Sequence, residues 1–286
     1  MQLHRRLLIL LRRYPAAMRF EKWHGIGNAY LVIEQRDVPA DLELTAPRVE
    51  RICDSDLGAG SDGILLIGAG DGRPRVRIFN PDGSEAEFSG NGTRIAAGYL
   101  MRRDALGAVE METIKGVIRA ERRGGDIVID AGEAALESAT DHVPRAGDPP
   151  ADGYTFVSVG NPHCVVEVGD PRTVDLDAEG PALERHPWFP NRANVEFYRP
   201  VGDHELELRV WERGAGETLS SGSCASAAAV AAVTAGRVHS PVTVHMDGGD
   251  LTIDIDNDLN VRLTGPVERV LAGEFDRSYL EHLEQL

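Results

Sequence analysis

The sequence predicts an α+β protein made of two similar halves, and three observations carry that expectation. Short segments of alternating or continuous apolar character, bounded by Gly, Asp and Pro, recur along the whole chain. Two helix candidates rich in small residues interrupt them. Each candidate follows a polar Ser-Gly turn, at Ser89-Gly90 and again at Ser221-Gly222.

In order from Phe20, "YLVIEQ", "DGILLIGAG", "RVRIFNP", "VEMETI", "VIRAERR" and "DIVIDAG" read as strands. "APRVERICD" reads as a helix before "LGAGSDG", and "GTRIAAGYLMRRD" as a second helix after the first turn. The Pro/Gly/Asp-rich "DHVPRAGDPPADG" (141–153) reads as a linker or long loop. Strands resume with "YTFVSVG", "HCVVEVG", "NVEFYRP" and "ELELRVWERG". The Ala/Val helix "SCASAAAVAAV" follows, and then "VTVHM", "LTIDID" and "NVRLTG". The expected domains are 18–135 and 136–273, with 274–286 packing back on the first. Residues 1–17 are expected to be a disordered extension. Their "LLILL" is shorter than the ~7–15-residue apolar core of a signal peptide, and arginines interrupt the run.

Composition narrows the function classes. The 286 residues are 42% hydrophobic and 27% charged, which suits a globular core. A net charge of −16, with 28 Arg and only Lys22 and Lys115 as lysines, excludes a phosphate-binding surface, so no nucleic acid is expected. No stretch approaches the ~20 apolar residues of a membrane span. Cys53, Cys164 and Cys224 are odd in number and in no ligand spacing. Neither a disulfide scaffold nor a metal is expected, and a cytoplasmic location fits.

The two turns share a grammar. Glu85 lies four residues before Ser89, and Glu217 four before Ser221. Ser is a good N-cap, Gly lets backbone approach closely, and a helix start offers unpaired N–H groups and a positive dipole end. Either turn alone reads as an ordinary cap. Two of them facing one cleft would place a reactive group on each side of a small anion, the geometry of racemisation or epimerisation.

At these motifs the chain resembles the diaminopimelate epimerase family. "KWHGIGNAYLVI", "GAGSDGILL", "FNPDGSEAEFSGNGTR", "VSVGNPHCV", "NVEF" and "WERGAGETLSSGS" occur in order over about 18–275. The resemblance implies two pseudo-symmetric domains, each a mostly antiparallel sheet wrapped around a central helix, with the site between them. It implies a cofactor-independent isomerase interconverting LL- and meso-diaminopimelate, with a small amino acid as partner and a homodimer left open. By motif, Asn28, Asn80, Asn161 and Asn194 would hold the distal amino-acid head, with Glu212 and Arg213. Gly90, Asn91, Gly222 and Ser223 would present N–H groups to the reacting carboxylate. His163 would line the site, with Glu85 and Glu217 in support.

One departure falls on the chemistry. The family has its two catalytic cysteines where this chain has Ser89 and Ser221. An alcohol is a far weaker acid than a thiol of reference pKa about 8.5. A Ser/Ser pair is therefore a poor base unless a neighbour activates it. Cys224, a turn of helix past Ser221, should point elsewhere, and Cys164 reads as core. Ala29 after Asn28 and the Gly-Ser-Cys run at 222–224 also depart from the family pattern. Three readings stay open at this level: an epimerase that uses serines, a related isomerase or racemase of another amino acid, and an amino-acid-binding homologue without catalysis.

Overall fold

The computed structural model describes residues 18–136 and 153–286. The expected extension (1–17) and nearly all of the expected linker lie outside these residues. The first half runs β1 (Met18–Gly25), β2 (Asn28–Glu34), α1 (Ala46–Cys53), β3 (Ile64–Ala69), β4 (Pro74–Phe79), α2 (Gly90–Asp104), β5 (Ala108–Thr113), β6 (Gly116–Arg123), β7 (Asp126–Glu133) and β8 (Ala135–Leu136). The second runs β9 (Tyr154–Ser158), β10 (Pro162–Glu167), α3 (Leu176–Glu184), β11 (Asn194–Gly202), β12 (Glu205–Glu212), β13 (Gly216–Thr218), α4 (Gly222–Thr234), β14 (Val242–Met246), β15 (Gly249–Ile255) and β16 (Asn260–Pro266). It ends with β17 (Glu268–Phe275) and α5 (Arg277–Leu283).

The pairing repeats with the same sense in both halves. Strands β1–β2 pair antiparallel, β2–β3 parallel, β3–β4 antiparallel, β4–β5 parallel, and β5–β6–β7 antiparallel. Strands β9–β10, β10–β11, β11–β12, β12–β14 and β14–β15–β16 follow that sequence of senses. The expected α+β class of two pseudo-symmetric, mostly antiparallel sheets is what the chain adopts. Antiparallel β7–β16 joins the two sheets. The halves also exchange edges: β8 pairs with β9, and β17 returns to pair with β1 over Met18 to His24.

Each sheet wraps a helix that no strand pattern could cover from one side alone. Residues 90–101 of α2 are all buried, as are 222–232 of α4. The Ala/Val-rich α4 is apolar on nearly every side, as a helix inside a core should be, whereas α2 takes Asn91, Thr93 and Arg94 inside with it. Ile95, Leu100 and Met101 share one core with Ala225, Ala228 and Val230. Two smaller cores lie elsewhere: Val49 and Ile52 of α1 pack with Leu280 and Leu283 of α5, while Leu176 and Leu183 of α3 pack on Trp188 and Phe197.

Helix α2 begins two residues ahead of the expected 92–104. Helix α3 is not among the helices expected from the sequence, and it runs through Gly180 and Pro181, both unfavourable inside a helix. Packing overrides them: a Cβ on Gly180 would lie 2.6 Å from the Trp211 ring. Asp175 also caps the helix, accepting from the Ala178 N–H.

The first residues of α2 and α4 meet. A Cβ on Gly90 would sit 2.8 Å from the Gly222 Cα, and one on Gly222 would sit 2.9 Å from the Gly90 Cα. Leu263 of β16 closes on both positions. Only glycine tolerates this backbone approach. Gly90→Ala is therefore expected to lower the unfolding free energy by about 1–3 kcal/mol through overpacking. Gly169→Ala, whose added methyl meets nothing within 4 Å, should stay within about 0.5 kcal/mol of wild type. Equal urea midpoints for the two variants would show that the helix starts do not press together.

Candidate active site

The Gly90–Gly222 contact sets two capping serines on neighbouring helix ends. Ser89 Oγ accepts from the Gly92 N–H at 3.0 Å, and Ser221 Oγ lies 3.5 Å from the Cys224 N–H. Both caps have extended backbone, with φ near −140°. Ahead of these bonds the N–H groups of Gly90, Asn91, Gly222 and Ser223 point out of the helix starts. Among the described residues none of the four has an acceptor. Four free donors and two positive dipole ends make a cradle for an anion.

The rim of this cradle is tied across the halves. Asn91 Nδ2 donates to Asn28 Oδ1 and to Ser220 O, each at 3.3 Å. Ser220 Oγ donates to Ile26 O at 2.8 Å. Ile26 itself has φ 46°, a conformation strained for a β-branched residue, and with Gly27 it forms the tight β1–β2 turn that delivers Asn28. The Ser220 bond helps to hold that strain, of order 1–3 kcal/mol. Arg94 is wholly buried beneath, donating to Gly90 O and Asn91 Oδ1.

The two serines differ in their partners. Ser221 Oγ donates to Glu212 Oε2 at 2.8 Å, and Thr218 donates to Glu212 Oε1 at 2.7 Å. Ser89 Oγ lies 3.1 Å from the hydroxyl of Tyr30. Burial raises the Glu212 pKa above the ordinary carboxylate value, opposed by the bonds from Thr218 and Ser221 and by His163. Burial likewise pushes the Tyr30 phenol upward, against its bond to Ser89. Glu212, expected from the family motif to grip an ammonium, is thus bonded to a cap hydroxyl. Tyr30 and Ser220 escaped the sequence reading; a Tyr in a strand carries no mark of what its hydroxyl will meet.

The other named residues fall into local sets. His163 faces Glu196 Oε1 through Nδ1 (2.6 Å) and Asn161 Oδ1 through Nε2 (2.9 Å). Asn194 Oδ1 accepts from the Arg213 N–H at 2.9 Å, while the Arg213 guanidinium reaches Asn191 O and lies 3.5 Å from Glu87. Asn80 donates to Ser84 Oγ within its own turn. Glu85 and Glu217 are each engaged by an arginine eight residues earlier, Arg77 at 2.9 Å and Arg209 at 2.6 Å. These two carboxylates brace the turns on which the caps sit.

His163, Glu196 and Cys224, all buried, bring one ligand atom each within 4.8 Å of one another. They supply three donors where a closed tetrahedral zinc site uses four. Burial raises the thiols of Cys164 and Cys224, and that of Cys53 to about 11, so the cysteines sit in their inert form. No helix among the described residues is long and apolar enough to cross a membrane.

Known proteins share this architecture. The sequence profile of the diaminopimelate epimerase family matches residues 20–137 and 155–270. A diaminopimelate epimerase of Moorella thermoacetica is 41% identical over 283 residues, covering 90% of this chain and 99% of that protein. One from Desulfitobacterium hafniense is 40% identical over 275 residues, covering 90% and 97%. A hydroxyproline epimerase structure from Agrobacterium vitis, with bound trans-4-hydroxy-L-proline, superposes with a TM-score of 0.70 at 14% identity over 92% of each chain. A PhzF-family phenazine biosynthesis protein of Bacillus anthracis superposes with a TM-score of 0.61 at 15% identity, over 91% of this chain and 99% of that one. At these identities the structures share the fold.

The raised pKa of Glu212 has a stability consequence whose sign is fixed. The folded state holds the Glu212 proton more tightly than the unfolded chain does, so ionised Glu212 costs stability above its folded pKa. Glu212→Gln is expected to unfold at a higher temperature than wild type at about pH 8, where the buried carboxylate is ionised. The gap should close as pH falls toward about 4, the ordinary carboxylate value. A gap that is constant across this range in paired thermal melts would show that Glu212 is not desolvated.

Proposed function

The chain belongs to the diaminopimelate epimerase family, and we propose that it interconverts LL- and meso-diaminopimelate by moving the α-proton from one face of the substrate to the other without a cofactor. One observation supports this reading above the rest: two abutting helix starts with four free N–H groups and a serine hydroxyl at each. The substrate's reacting carboxylate sits in that cradle, where the donors stabilise the negative charge that develops when the α-proton leaves. Ser89 and Ser221 flank the α-carbon. Asn28, Asn80, Asn161, Asn194 and Arg213 hold the distal head, the guanidinium gripping its carboxylate.

The weakness of a serine base has a local remedy on one face. Ser221 already donates its hydrogen to Glu212, so a proton accepted by Ser221 Oγ can be matched by one passed to the carboxylate. A carboxylate of raised pKa is a better base for this purpose than an ordinary one. Glu85 and Glu217, paired with arginines, keep structural roles.

Proton NMR of LL- and meso-diaminopimelate in D2O tests the reading, since it reports both α-proton exchange and inversion. Wild type should exchange and invert the α-centre, and Ser89→Ala or Ser221→Ala should lower the rate of inversion by roughly 10²–10⁴-fold. The pair Ser89→Cys with Ser221→Cys should raise it, because thiolates at helix N-termini form near neutral pH. Glu85→Gln should change it little. The wild-type rate should fall as pH drops through the raised pKa of Glu212, above the usual carboxylate range. No exchange from either isomer by wild type and the double cysteine variant alike would refute the assignment.

A further inference from the structure

The two cap hydroxyls are wired in opposite senses. A serine hydroxyl has one hydrogen to donate and two lone pairs to accept with. At Ser221 the hydrogen is committed: Glu212, when ionised, can only accept, so Ser221 must donate to it. The oxygen of Ser221 faces only a long contact from the Cys224 N–H and one of 3.4 Å to Ser223 Oγ, and it keeps capacity to accept.

Ser89 is the reverse. Its oxygen already accepts from the Gly92 N–H at 3.0 Å. Its second partner is the Tyr30 hydroxyl, and the direction of that bond follows from two considerations. A phenol is a stronger acid than an alcohol, so it is the better donor of the two. Tyr30 is also 5% exposed, and Ser89 is the one partner of its hydroxyl among the described residues. Were Ser89 to donate, the phenolic hydrogen would be buried without an acceptor, which is costly. With Tyr30 donating, both lone pairs of Ser89 are filled. Its own hydrogen is then the part left over, on a residue that retains partial exposure.

We infer that Tyr30 is a positioning residue that fixes Ser89 as the proton donor, so that the resting protein removes the α-proton on the Ser221–Glu212 face and returns one on the Ser89–Tyr30 face. This rests on the epimerase reading above. In the step, the α C–H bond breaks and its electron pair stays on the substrate, delocalised into the cradled carboxylate. The proton goes to Ser221 Oγ as the Ser221 hydrogen passes to Glu212, which becomes neutral. On the other face the electron pair takes the Ser89 hydrogen, forming the new C–H bond, and Ser89 takes the hydrogen of Tyr30. One negative charge has moved from Glu212 to Tyr30. The protein in that state is set for the reverse stereochemical direction, and proton exchange with water resets it.

Tyr30→Phe separates this wiring from a general loss of structure. The Ser221–Glu212 half remains, so it should still take the α-proton from one stereoisomer and give back deuterium on the same face. Inversion should fall by about 10²-fold or more, the scale of a lost acid–base partner, while exchange from that one isomer stays within a few-fold of wild type. Persisting exchange also reports that the variant is folded. If exchange and inversion fall together, or neither changes, or exchange persists equally from both isomers, Tyr30 does not set the direction. If wild type itself neither exchanges nor inverts diaminopimelate, the epimerase reading fails first and takes this inference with it. Wild-type inversion with an unaltered Tyr30→Phe profile overturns the role of Tyr30 alone.

Discussion

Everything in this protein that bears on chemistry depends on one contact without side chains: the backbone of Gly90 against that of Gly222. Two helix N-termini repel each other electrostatically, since both carry the positive end of a dipole. The surrounding structure holds them together nonetheless. Leu263 presses on both glycines, Asn91 reaches across to Ser220, and Ser220 reaches back to the Ile26 turn. The result is a place where a carboxylate is favoured by two dipoles and four free N–H groups at once. Such a site is costly when empty and complementary when filled by an anion.

The shared plan of the two halves makes their differences informative. Strand order and sense match, both turns carry an Arg–Glu brace of the same spacing, and both helices start with a serine cap. What the halves do not share is the group bonded to each cap. One meets an anionic acceptor with a raised pKa, the other a buried phenol. A symmetric scaffold with asymmetric wiring suits a reaction in which a proton leaves one face and arrives at the other. Under the proposed reaction, Ser221 would pass a proton to Glu212 and Ser89 would draw one from Tyr30, which is how serines would work where the family has thiols.

The exchanged edges have a mechanical meaning. Because β8 pairs with the second half and β17 with the first, neither sheet is complete without a strand contributed from the other half of the chain. Lys115 adds a further tie, donating to Ala131 O and to Val159 O (2.7 Å) while lying 4.4 Å from the Phe88 ring. Phe88 precedes Ser89. The cap geometry is therefore coupled to the seam between the halves.

The residue order of this chain by itself determined the local features: alternating strands, the Ser-Gly caps, the buried Ala/Val helix and the duplicated plan. These were legible because each rests on interactions within a few residues, such as the cap of Ser89 on Gly92 or the pleat of β12. The family motifs also mark Glu212, Asn91 and His163 in the sequence. Only the tertiary structure decided what those side chains do. Glu85 and Glu217, equally spaced from the serines in sequence, turn to arginines on the preceding strands, while Glu212 turns to Ser221. Tyr30 lies 59 residues from Ser89 and bonds to it. Helix α3 forms through Gly180 and Pro181 because Trp211, distant in the chain, packs on that glycine. Long-range burial and hydrogen bonding choose among partners that local pattern leaves equivalent, and the energies of those choices are defined only once the sheets have closed around their helices.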